Sequence, residues 1–133
     1  MNQGAVPVVI VDDEVDHAII IRRVLAAIAP YAAVDVMTDP HGVEDRLIQA
    51  PFRALLLMDR MLAGRQSIDL IPGLLRARPD LSIALLSAAL SDEDRRRALA
   101  AGAVAAAEKP GTLDGWRMLL RELLGLHRAR SVA

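Results

Sequence analysis

Val8-Val9-Ile10-Val11-Asp12-Asp13-Glu14 is the stretch that decides how this chain is read. A run of β-branched residues makes a short strand, the acidic residues close it, and Ile19, Ile20, Ile21, Val24, Leu25 and Ile28 recur at helical spacing. Strand, acidic turn and helix therefore follow one another. Ala29-Pro30 should end the helix, because the residue before a proline is pushed out of the α region.

The same alternation continues along the chain. Ala33 to Met37 reads as a second strand, and Asp39-Pro40 as an N-cap and first-turn proline for a helix reaching about Gln49. Leu55-Leu56-Leu57-Met58 is too short for a helix and suits a buried central strand. A loop around Leu62-Ala63-Gly64 leads to a third helix ending near Arg78-Pro79, which Pro72 should delay or kink.

Ser82 to Leu86 is the fourth strand, and Ser91 caps a helix finishing near Gly102. Val104 to Ala107 is weak as a strand by propensity, and its place in the alternation carries the assignment. Thr112 opens a last helix whose Leu113, Trp116, Leu119, Leu120, Leu123 and Leu124 form one apolar stripe. The order βαβαβαβαβα predicts an α/β fold: a doubly wound, five-stranded parallel sheet with right-handed crossovers and five helices.

Composition agrees with one soluble domain. The 133 residues are 53% hydrophobic and 25% charged with a net charge of -1, which disfavours a disordered, collagen-like or coiled-coil chain. Cysteine is absent, so thiol chemistry and cysteine-ligated metal are excluded. No apolar run is long enough to span a bilayer and Met1-Asn2-Gln3-Gly4 lacks a basic leader, so a cytoplasmic location without membrane contact is expected. Near-neutral charge argues against direct nucleic-acid binding, and Arg95-Arg96-Arg97 reads first as a solvated helix face.

In a doubly wound sheet the carboxyl ends of the strands open on one edge, where ligands bind. The residues following the five apolar runs include Asp12-Asp13, Asp59, Ser87 and Glu108-Lys109-Pro110. Carboxylates brought together repel, and a hard divalent cation such as Mg2+ relieves them. Such an ion beside Asp59, with Ser87 and Lys109 at hand, suits phosphoryl transfer to Asp59 as nucleophile.

This ordered set resembles the receiver domain of bacterial two-component response regulators over residues 6 to 126, with 127 to 133 a tail or the start of a linker. The resemblance implies a flavodoxin-like strand order of 2-1-3-4-5 and phosphorylation of Asp59 by a histidine kinase or histidine phosphotransfer protein. It assigns Mg2+ (or Mn2+) to Asp12, Asp13, Asp59 and the backbone carbonyl of Met61, and the phosphoryl oxygens to Ser87 and Lys109. It further implies a cis Lys109-Pro110 bond and an output protein or domain that this chain does not name, and it leaves homodimerisation open.

Departures from the family pattern are Ala63 and Ser67 where proline and glycine are usual, and Ala106 where an aromatic usually accompanies the switch. Met61 and Ala89 cannot orient an attacking water, which predicts slow loss of phosphate. A degenerate receiver acting as a phosphorylation-independent scaffold is the alternative, and a nucleotide or flavin binder is disfavoured because no glycine-rich phosphate loop follows the first strand. His17, His41 and His127 are expected at the surface, and Trp116 in the core or as a partner-facing anchor.

Overall fold

The computed structural model describes residues 5–132. Its main sheet has five parallel strands: β1 (Val6–Val11), β2 (Ala32–Met37), β3 (Leu55–Asp59), β6 (Ser82–Ser87) and β7 (Ala105–Glu108), in the order β2-β1-β3-β6-β7. That is the expected 2-1-3-4-5 order. Two short strands, β4 (Met61–Leu62) and β5 (Arg65–Gln66), form a separate antiparallel hairpin immediately after β3.

Alternation along the central strands builds two cores. Leu56 and Met58 face one side with Val9, Ile83 and Leu85, where α2 (Val43–Ile48), α3 (Ile71–Ala77) and α4 (Asp92–Ala101) cover them. Leu55 and Leu57 face the other side with Ile10, Leu86 and Trp116, under α1 (Val15–Ile28) and α5 (Leu113–Val132). All five residues of β3 are buried, which is why its sequence is a continuous apolar run rather than an alternating one. Trp116 belongs to the core, at 4% exposure.

Helix boundaries follow local chemistry where the signals are strong. α1 ends at Ile28, just ahead of Ala29-Pro30. Ser91 Oγ accepts the Asp94 amide at 3.0 Å, and Gly102 closes α4 with φ +115°. Thr112 Oγ1 accepts the Gly115 amide at 3.0 Å at the start of α5. Pro72 sits in the first turn of α3, whose delayed start is bridged by a 3-10 turn over Ser67–Leu70.

The second helix departs from expectation. Gly42 adopts φ +65° at its N-cap, so α2 begins at Val43 and not at Pro40. Asp39 instead closes a tight turn, its Oδ1 accepting the His41 amide at 3.0 Å. A left-handed residue cannot continue a right-handed helix, so the first turn is lost.

The chain beyond residue 126 continues α5 beneath the amino-terminal edge of the sheet. His127 is only 5% exposed and its Nδ1 lies 2.8 Å from Ser82 Oγ, so the expectation of a surface histidine is corrected. Arg130 Nη2 donates to Pro79 O at 2.8 Å, and its Nη1 donates to Leu81 O and to Ser82 Oγ. The apolar stripe that reads as α5 from its leucines gave no warning of these polar anchors. His41 is exposed as expected, with 92% of its side chain accessible. No helix among the described residues is long and apolar enough to cross a membrane.

Candidate phosphoryl-acceptor site

The carboxyl ends of β1, β3, β6 and β7 gather the residues singled out from the sequence. Asp13, Asp59, Arg60, Met61, Ser87 and Lys109 line one open cleft of about 510 Å3. One carboxylate oxygen from each of Asp12, Asp13 and Asp59 lies within 4.8 Å of the others. Three hard oxygen donors at that separation, one exposed side chain and two buried, fit a divalent cation that keeps part of its water.

Lys109 provides the positive charge among them. Its Nζ lies 2.8 Å from Asp12 Oδ2 and 3.4 Å from Asp59 Oδ1, with only 6% of the side chain exposed. The backbone that aims it is fastened by the Lys109 amide donating to Ser87 O at 2.8 Å. The Lys109-Pro110 bond is trans, as is every peptide bond among the described residues, so the expected cis bond is corrected. The trans form is the intrinsic preference of the X-Pro amide, and here it already seats the ammonium between the carboxylates.

Asp59 is buried to 9% exposure, and its carboxyl is raised to about 6 by burial first and by the neighbouring Asp12 charge second. Lys109 pulls in the opposite direction without cancelling them. A carboxylate so placed is short of positive charge, which a cation in the cleft would supply. Asp12 Oδ1 accepts the Glu14 amide at 2.9 Å, and Asp13 Oδ2 accepts the Ala63 amide at 3.2 Å.

That last bond reveals what the loop after Asp59 does. Ala63 (φ +50°) and Gly64 (φ +78°) form the tip of the β4–β5 hairpin, both in the left-handed conformation that a two-residue turn requires. Ser67, fully buried, donates from Oγ to Asp59 O at 2.5 Å, with Arg60 O 3.0 Å from the same oxygen. The loop is thus laced to the strand end without the usual proline and glycine.

Two residues in the cleft's surroundings escape a reading by motif. His17 is not a detached surface group: its Nδ1 lies 2.9 Å from Lys109 Nζ and 3.4 Å from Glu14 Oε2. Lysine has only donors, so in its contact with Nζ the ring nitrogen is the acceptor. One helical turn carries the side chain back over the amino end of α1, which the residue count alone does not convey. Arg60 crosses the cleft mouth, Nε donating to Ser87 Oγ at 3.1 Å.

The response regulator receiver domain family model matches residues 8–121. The chain belongs to this family. Among solved structures it is similar to a signal receiver domain from Colwellia psychrerythraea, with TM-score 0.76, 20% identity, and coverage of 90% of this chain and 98% of that one. A response regulator from Burkholderia pseudomallei with a phosphorylated aspartic acid, calcium ion and citrate gives TM-score 0.70 at 21% identity, covering 83% of this chain and 63% of that one. The beryllofluoride-activated NtrC4 receiver domain dimer gives 0.75 at 16% identity, covering 96% and 99%. No curated protein sequence matches the chain. This receiver domain thus shares the fold of its relatives at low identity.

Proposed function

We propose that Asp59 accepts a phosphoryl group from a histidine kinase or histidine phosphotransfer protein, in a reaction that needs Mg2+ or Mn2+, and that the modified domain switches a partner. The observation that carries this reading is the meeting of Asp12, Asp13 and Asp59 oxygens within 4.8 Å, with Lys109 Nζ 3.4 Å from Asp59. Asp12, Asp13, Asp59 and the Met61 carbonyl would hold the ion, which when bound supplies charge neutralisation for phosphoryl oxygens. Asp12, 2% exposed and already bonded to Lys109, would act through water.

In the transfer an Asp59 carboxylate oxygen forms the new bond to phosphorus while the bond from phosphorus to the donor nitrogen breaks, and that nitrogen leaves with its electron pair. Lys109 neutralises one phosphoryl oxygen and Ser87 donates a hydrogen bond to another. The chain is a regulatory acceptor with no further substrate to turn over. The scaffold alternative is not favoured, because a buried lysine among carboxylates is a costly arrangement for a surface used only in docking. A cytoplasmic location, one receiver domain across the chain, and dimerisation like that of the NtrC4 domain belong to the same proposal.

Incubation with acetyl phosphate and Mg2+ should add one phosphoryl group by intact mass, and Asp59→Asn should remove the adduct completely. Mg2+ alone should raise the melting temperature of the wild type by ordinary linkage. A wild type that never gains mass, or an Asp59→Asn variant that gains it equally, ends the proposal. For lifetime, Met61→Asn with Ala89→Glu should shorten the phosphorylated state by about tenfold, by placing groups able to orient water. Faster hydrolysis in the wild type than in the double variant contradicts that expectation.

A further inference from the structure

Arg60 is the first residue past β3, and its main chain is held on both sides. Its amide donates to Leu86 O at 2.8 Å, and its carbonyl accepts from the Ser67 amide at 2.8 Å. From this fixed base the side chain, 26% exposed, reaches two elements at once. Nε donates to Ser87 Oγ at 3.1 Å and Nη1 donates to Asp94 Oδ2 at 3.2 Å. Asp94 stands in the first turn of α4.

Ser87 is committed elsewhere than to Asp59. Its hydroxyl donates to Ala89 O at 2.6 Å while its oxygen accepts from Arg60. A hydroxyl has one proton, so donating to a phosphoryl oxygen on Asp59 requires that it give up Ala89 O. Turning Oγ toward Asp59 through another χ1 rotamer would carry it away from Arg60 Nε. The guanidinium then stands beside a phosphoryl group of roughly two negative charges, a stronger partner than the single carboxylate of Asp94.

The geometry points to Arg60 as the positioning residue that carries the state of Ser87 to α4 through Asp94, an inference that rests on the phosphoryl-binding reading of the cleft. It answers the problem set by Ala106, whose buried methyl packs under α4 with Ala98 and cannot follow a hydroxyl. The other ties of α4 and its leading loop to β7, Arg95 Nη1 to Ala106 O at 3.0 Å and the Leu90 amide to Glu108 Oε1 at 3.0 Å, do not touch Ser87. Arg97, on α4 itself, lies 3.8 Å from Asp94 and 3.9 Å from Asp69 in the 3-10 turn, a tie that does not touch Ser87 either.

Hydrogen exchange of residues 92–101 in the full chain, with Mg2+ and with or without fluoroberyllate, tests this. The wild type should exchange about threefold faster when the mimic binds, as the Arg60–Asp94 tie is released. Arg60→Gln and Asp94→Asn should exchange at the faster level without the mimic and respond little to it, with Arg60→Lys in between. Full protection and a full response in Arg60→Gln overturns the inference, as does a wild-type α4 that does not respond while melting shows the mimic bound. If the wild type shows no fluoroberyllate-dependent melting shift at all, the phosphoryl-acceptor reading fails first and this inference falls with it.

Discussion

Replacing Lys109 with alanine is expected to cost about 3 kcal/mol of stability at pH 8 without divalent ions, since removing one member of a buried ion pair strands the others. Asp12 and Asp59 lose the ammonium at 2.8 Å and 3.4 Å, while the cleft's other cation, Arg60, is engaged with Ser87 and Asp94. The loss should depend on pH in a definite direction. A carboxyl raised in the fold, as Asp59 is to about 6, stabilises most below its ordinary value near 3.8 and loses that contribution as pH rises through about 6. Without Lys109 the carboxyl rises further, so the variant's deficit should widen between pH 5 and pH 8.

Added Mg2+ should recover more stability in this variant than in the wild type, because it brings the missing positive charge to the same oxygens. Urea unfolding at the two pH values, with and without Mg2+, reads all of these. Equal deficits at pH 5 and pH 8 would contradict the electrostatic account. Lys109 is also the only lysine of the chain, which otherwise draws its fixed positive charge from arginine. A compact ammonium fits between two close carboxylates where a planar guanidinium would force them apart, so Lys109→Arg should not restore the site.

The second large effect lies at the other end of the sheet. Arg78→Ala should cost about 3 kcal/mol, because one guanidinium satisfies several groups at once. Its Nε and Nη2 clasp Asp80 at 2.9 and 2.7 Å, and its Nη1 donates to Ile48 O and Ala50 O, each at 2.7 Å. The first carbonyl belongs to the last residue of α2, a helix of only six residues, and the second lies just past its C-cap Gln49. Arg78→Lys should recover only part, since an ammonium cannot grip a carboxylate with two parallel bonds and reach the carbonyls as well.

Arg78 also holds the Asp80 carboxyl well below the usual range. A depressed carboxyl stabilises above its ordinary value and loses that contribution as pH falls through the folded value. The alanine variant should therefore lose less stability on acidification between pH 5 and pH 3 than the wild type does. Urea midpoints for the wild type and both variants check the ordering. An alanine variant within 0.5 kcal/mol of the wild type, roughly the range for ordinary surface changes, would show that the clasp contributes nothing.

Legibility from sequence depended on how local the controlling physics is. Leu55 to Met58 could be assigned because a strand buried on both faces must be apolar throughout, and Ser91 and Gly102 because caps act within one turn. Val104 to Ala107 required the alternation, since alanine has little preference for a strand, and its pairing with β6 supplies what propensity lacks. Asp39-Pro40 misled because a favourable cap signal was overruled by the left-handed Gly42 three residues from it. The β4–β5 hairpin carries no such local signal, because Ala63 is an unusual residue for a positive φ.

The amino-acid order determined by itself that strands alternate with helices, and so that Asp12, Asp13, Asp59, Ser87 and Lys109 all follow strands on one edge. Only the tertiary structure decided which side chains touch. It turned His17 toward Lys109, sank His127 beneath the sheet, and stretched Arg60 from Ser87 to Asp94. The reason is that hydrophobic period and capping act over a few residues and survive in any fold, whereas a polar contact spanning dozens of residues depends on sheet register and rotamer. Those exist only once the chain has packed.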